Sequence, residues 1–120
     1  MKFDVIVIGG GSAGLEAAFA QCRDGRRTAL IAKGRSLEDI DYGPFVRAGG
    51  ILMLGDCVTE GVIDEGRVTH VRTENLGRTE LTADLYVLAT GKFFGGGLVA
   101  DMSGVREPLF GLDVKYTEGN

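Results

Sequence analysis

The apolar and polar positions change period three times along the chain. Residues 3–8 (FDVIVI) form a short run rich in β-branched residues and closed by Gly9-Gly10-Gly11. Such a run predicts a strand buried on both faces, as in a parallel sheet. From Ser12 to Arg23 the repeat lengthens. Ala13, Ala17 and Ala20, and Leu15, Phe19 and Cys22, recur at steps of three and four, which predicts a helix ended by Gly25 as its C-cap. Thr28–Ala32 is again apolar and predicts a second strand. Strand, tight turn, helix and strand over residues 1–35 make one βαβ unit.

Residues 33–44 are polar and broken by Pro44; a helical turn over Phe45–Ala48, a stop at Gly49-Gly50 and a third core strand over Ile51–Leu54 follow. Residues 56–84 then alternate. Val58, Val62, Val68 and Val71 are interleaved with Thr, Glu, Arg and His, with turns at Asp64-Glu65-Gly66 and Asn75-Leu76-Gly77. This predicts a half-exposed antiparallel β-meander of about three strands. Leu85–Ala89 returns to an all-apolar core strand closed by Thr90-Gly91, and residues 92–120 read as an irregular glycine-rich tail.

Composition changes this picture in few places. A length of 120 residues suits one domain. The 20 glycines are more than twice the usual ~7%, yet they follow no Gly-X-Y repeat. A net charge of −4 offers no footprint for nucleic acid. Arg23, Arg26 and Arg27, the densest basic group, read as a solvated helix end. Cys22 and Cys57 form no CxxC pair and read as buried packing residues of a reduced intracellular protein. A lone His70 brings no metal-ligand cluster with it. No apolar stretch reaches the ~18 residues of a membrane span, and the first residues lack the form of a signal peptide. A soluble cytoplasmic protein is the expectation.

Gly9, Gly11 and Gly14 fit G-x-G-x-x-G, with a buried strand before and a helix after. Gly9 lets the chain turn at the strand end. Gly11 leaves room for a diphosphate against the backbone, and Gly14, with Ala18 one turn on, lets the helix pack close to the sheet. The amides of Ser12, Ala13 and Gly14 sit at the positive end of the helix dipole, which favours an anionic ligand. The pattern predicts an α/β fold: a Rossmann-like FAD/NAD(P)-binding domain spanning residues 1–120, with a parallel core sheet and an inserted β-meander. An acidic residue is expected at the end of the second strand, about 20 residues on, to hold a ribose hydroxyl. Ala32 stands there instead, followed by Lys33 and Arg35. Either other groups hold the ribose, or the basic residues meet an extra phosphate as in NADP binders, or they are solvated loop residues.

DVIVIGGGSAGLEAA, the meander and DLYVLATG together resemble the two-dinucleotide-binding-domain flavoprotein superfamily. FVRAGGILMLGD and VLATGKFFGGGLVADMSGVREPLFGLDV narrow the likeness. They resemble the B-subunit family of anaerobic glycerol-3-phosphate dehydrogenase, in an internally shortened and truncated form. The resemblance implies a flavin, FAD or alternatively FMN, and electron transfer from glycerol-3-phosphate oxidation toward quinone. It also implies a catalytic and an iron–sulfur partner subunit, through which a cytoplasmic chain is held at the inner face of the membrane. It places Val58, by its backbone, at the adenine, and Thr90 and Gly91 along the cofactor cleft. Ala32 is less unusual in that family than among flavoproteins at large.

Flavin chemistry belongs mainly to the cofactor, and no residue is assigned a catalytic role. Glu16, read into the first helical turn, either favours the dipole or touches the cofactor. Arg106, Phe93 and Phe94 read as surface-turn and packing residues. Two other functions stay open: a non-catalytic, self-associating module that keeps the scaffold without the cofactor, and an NAD(P)-binding domain using Lys33 and Arg35.

Overall fold

The computed structural model describes residues 1–33 and 40–89, together with the backbone of a strand at 115–118. Its elements run β1 (Lys2–Ile8), α1 (Ser12–Arg23), β2 (Thr28–Ala32), α2 (Gly43–Arg47), β3 (Ile51–Leu54), β4 (Val58–Asp64), β5 (Arg67–Thr73), β6 (Thr82–Leu88) and β7 (Lys115–Glu118).

The main sheet has the order β3-β2-β1-β6, and every pairing in it is parallel. Central β1 explains its own composition. Ile6 and Val7 are fully buried because both faces of the sheet are covered. On one face Val5, Val7 and Leu30 pack with Ala18 and Cys22 of α1 and Phe45 of α2. On the other, Phe3, Ile6, Ile8, Ala29 and Ile31 meet Val58, Val71 and Leu81. The molecule is thus a helical layer, a parallel sheet and a β-hairpin layer. The two outer strands depart from the all-buried expectation: Leu54 of β3 is 50% exposed and Leu85 of β6 46%, since each flanks the sheet on one side only.

The face that α1 buries is narrower than its periodicity suggests. Gly14, Ala18 and Cys22, four residues apart, are buried, with Leu15 and Phe19 beside them. Ala13 and Ala20 face outward, so small size alone does not mark the packed stripe. The helix ends as expected. Gly25 has φ +84, its amide donates to Cys22 O at 3.0 Å, and the Arg26 amide donates to Gln21 O at 3.2 Å. These bonds make a Schellman closure, which a residue without Cβ adopts at low cost. Its basic neighbours are engaged as well: Arg27 Nε donates to Lys2 O and its guanidinium lies 5.0 Å from the Phe3 ring centre.

The predicted meander is a hairpin. β4 and β5 pair antiparallel around Glu65 and Gly66, both with positive φ, the mark of a type I′ turn. The third stretch is carried away into the main sheet. Leu81 makes an antiparallel bridge to Val71, and then Thr82–Leu88 runs parallel to β1. The other neighbour of β4 is β7, paired parallel to it; it lies within the stretch read as an irregular tail. The alternation in residues 82–84 is that of a strand, but it does not specify the pairing partner. Asp56, 4% exposed, ties the layers together: Oδ1 accepts from the Cys57 amide at 2.8 Å and the Asn75 amide at 3.0 Å. The Asp56 amide in turn donates to Ala32 O at the end of β2.

Candidate functional site

The site grows from the turn between β1 and α1. Ile8 is the last residue of β1, and the Gly9 amide still donates to Ile31 O of β2. Gly9 then takes φ +116, a value L side chains rarely adopt. This reversal sends the chain into α1 at once. Gly14 lies directly over the turn: a Cβ there would meet Gly9 O at 1.7 Å. Gly10 is equally confined, since its Cβ would fall 2.2 Å from Ala32 Cβ and 2.9 Å from Tyr42 Oη. Gly11 differs. A Cβ there would meet nothing within 4 Å, so its missing side chain leaves open space rather than packing room.

That space faces unpaired donors. Gly11 is the N-cap and supplies no side-chain cap. The first intrahelical bond runs from the Leu15 amide to Gly11 O at 2.9 Å. The amides of Gly11, Ser12, Ala13 and Gly14 have no partner among the described residues. Ser12 and Ala13 are exposed. No acidic side chain stands in the first turn; Glu16 falls just beyond it, which corrects its expected placement. The result is an open, glycine-walled cradle of N–H groups at a helix N-terminus, suited to a diphosphate. It lies beyond the carboxyl ends of the parallel strands, where α/β sheets hold ligands. A surface hollow lined by Asp4, Val5, Gln21, Arg26, Asp84 and Leu85 sits toward the other end of the strands and shares none of these groups.

The remaining sequence-predicted residues divide. Ala32 is buried and packs against Gly10, so it belongs to the wall of the turn. Lys33 is exposed just after it, and its charge acts on the Cys57 thiol. Cys57 is half-buried, not a core residue, and its Sγ donates to Glu74 Oε2 at 3.2 Å. Burial, and then this bond, push the Cys57 thiol above its ordinary pKa. Val58 is separate from the cradle: its side chain is buried among Phe3, Val71 and Leu81 on the hairpin face, leaving only its backbone for any ligand. Thr90, Gly91, Arg35, Phe93, Phe94 and Arg106 lie outside the described residues. Sequence reasoning passed over Gly10 and Tyr42. The Tyr42 hydroxyl donates to Gly10 O across 32 positions of chain, a separation at which no spacing rule operates. Among the described residues no three His, Cys, Asp or Glu side chains gather as a metal site, and no helix is long and apolar enough to cross a membrane.

This arrangement defines a Rossmann-type domain of the FAD/NAD(P)-binding kind. The same fold recurs in a geranylgeranyl bacteriochlorophyll reductase-like protein of Thermoplasma acidophilum. The match has a TM-score of 0.59 at 13% identity and covers 71% of this chain and 38% of that one. It recurs also in a thioredoxin reductase of Gloeobacter violaceus (TM-score 0.55, 19% identity, 76% and 38% covered). Residues 4–42 match the family described as glucose inhibited division protein A. More particularly, the chain is a relative of the B subunit of anaerobic glycerol-3-phosphate dehydrogenase. It is 42% identical to that of Vibrio vulnificus over 82 residues, 68% of this chain and 19% of the relative. Against that of Actinobacillus succinogenes it is 42% identical over 74 residues, 62% of this chain and 17% of the relative. The family resemblance read from the residues is therefore borne out. The chain spans about a fifth of the length of these curated relatives.

Proposed function

We propose that this chain is the FAD-holding part of a flavin-dependent oxidoreductase of the anaerobic glycerol-3-phosphate dehydrogenase B type. One observation carries the reading: the open space at Gly11 faces helix-head amides that have no partner among the described residues. A diphosphate linker supplies the charge and the acceptor oxygens those amides lack. Gly9 makes the turn, Gly11 gives access, Ser12, Ala13 and Gly14 donate, and Ala32 and Lys33 border the adenosine side. The Val58 backbone at the adenine, and Thr90 and Gly91 along the cleft, are assigned from the family resemblance. When bound, a flavin supplies hydride and one-electron chemistry. The chain's own part is to grip the diphosphate and to hold the cofactor in register with whatever lies beyond. In the whole assembly, electrons from glycerol-3-phosphate would pass toward quinone with a catalytic and an iron–sulfur subunit as partners. That assembly would hold the chain peripherally at the membrane.

The test is a titration of the purified chain with FAD, FMN and NADP⁺, read by flavin fluorescence and thermal melting. FAD at a hundredfold excess over its Kd should add about 2.7 kcal/mol of stability. FMN has a single phosphate and should bind more weakly. No response to FAD removes the reading and leaves a cofactor-free scaffold; a response to NADP⁺ alone favours the nicotinamide alternative.

A further inference from the structure

We propose that Tyr42 is a positioning residue of the diphosphate cradle: by holding the Gly10 carbonyl it turns the Gly11 N–H into the open space beside it. The inference rests on the FAD reading above and assigns a role that no sequence pattern gives to this residue.

The peptide between Gly10 and Gly11 is trans and, like any peptide, planar, so its C=O and N–H point in opposite directions. The Tyr42 hydroxyl donates to that carbonyl. With the oxygen tied toward Tyr42, the Gly11 N–H faces away from it, and this amide has no partner among the described residues. A peptide between two glycines has little steric preference of its own, because neither residue carries a Cβ to restrict φ and ψ. Left alone it would sample orientations that withdraw the donor. A hydrogen bond from outside the loop supplies the missing restraint, and a donor oriented in advance loses less entropy when a ligand arrives.

Tyr42 is itself well fixed. It is the N-cap of α2, with its carbonyl accepting from the Val46 amide at 3.1 Å. α2 is anchored by Phe45, which is fully buried and lies so close to Gly50 that a Cβ there would meet the ring at 2.3 Å. The tyrosine is half-buried and packed against the core cluster that holds Val7, Ala18, Leu30 and Phe45. Burial raises the hydroxyl's pKa above the ordinary value, so it remains a donor throughout the neutral range. Ala32 Cβ and the Tyr42 hydroxyl both crowd the place a Gly10 Cβ would take, so the residue between them carries no side chain.

Tyr42→Phe keeps the ring and removes only the donor. FAD affinity, measured by fluorescence quenching on the full chain, should fall about tenfold, equivalent to about 1.4 kcal/mol. The ligand-free melting temperature should stay close to that of the parent. In the ligand-free chain the Gly11 amide resonance should shift, while those of the α1 interior stay in place. A merely structural tyrosine would do the reverse, lowering the melting temperature and leaving affinity and the Gly11 amide unchanged; that result overturns the proposal. Parent chain that binds FAD, with Tyr42→Phe binding it equally well, sinks this inference alone. Parent chain that ignores FAD sinks the functional reading and the cradle role with it.

Discussion

Gly14→Ala and Gly11→Ala each add one methyl group within the same turn, and the structure assigns them different outcomes. At position 14 the new carbon would lie 1.7 Å from Gly9 O and 2.9 Å from Gly9 C, both backbone atoms, and 3.4 Å from Ala89 Cβ. No rotamer relieves a collision with main chain. α1 must move off the end of β1 by more than about 1 Å, and overpacking of this kind costs typically 1–3 kcal/mol. Alanine returns up to about 1 kcal/mol of helix propensity, less in a first turn. A net loss of about 1–2 kcal/mol is expected, a fall in Tm on the order of 4–8 °C for a chain of this size. At position 11 the carbon meets nothing within 4 Å, and φ −72 is open to any residue. Fewer unfolded conformations return about 0.4–1 kcal/mol, but alanine is a poorer N-cap than glycine by a similar amount, so the melting temperature should stay close to that of the parent. The same methyl occupies the cradle. Loss of one charge-assisted hydrogen bond is worth about 1.5–3 kcal/mol, so FAD affinity should drop at least about tenfold. Thermal melts with and without FAD read both effects. A Gly14→Ala chain that melts like the parent, or a Gly11→Ala chain that melts as low as Gly14→Ala or binds FAD undiminished, refutes this account.

Two further outcomes follow from the hairpin and its flank. Glu65 has φ +52 in the turn between β4 and β5, a conformation asparagine tolerates better, so Glu65→Asn should raise stability by about 0.5–1 kcal/mol in a denaturant titration. Burial and the bond to Glu74 hold the Cys57 thiol protonated beyond its ordinary range. Unfolding at alkaline pH therefore releases a proton, and this contribution to stability is present in full below the unfolded thiol's pKa and is lost as pH rises through the folded one. Alkylation of Cys57 at mildly alkaline pH should be slower than in the unfolded chain, and Glu74→Gln should speed it by removing the acceptor charge; equal rates in both chains would refute the assignment.

The N-terminal unit was legible because its constraints are local. The helix at Ser12–Arg23 and the strand at Thr28–Ala32 have the predicted bounds, set by a period of apolar residues, a glycine closure and neighbouring turns. Gly9 and Gly14 were legible for the same reason: positive φ and close helix approach need a residue without Cβ wherever they occur. Residues 82–88 were half legible. The apolar run from Leu85 announces a core strand, as found, but the alternation through residue 84 was read into the meander; a strand's partner depends on which backbone edge lies nearest, and that edge belongs to β1, some 80 positions earlier in register.

What the sequence by itself determined is the set of places where main chain must turn or come close, since absent side chains act within a few residues. Only the tertiary structure decided that Gly10, beside the open Gly11, is walled in by Ala32 and Tyr42, and that a hydroxyl from the N-cap of α2 holds the loop's carbonyl. Those are relations between elements brought together by burial of the sheet. Hydrophobic burial is non-directional, and composition does not specify which surfaces it joins.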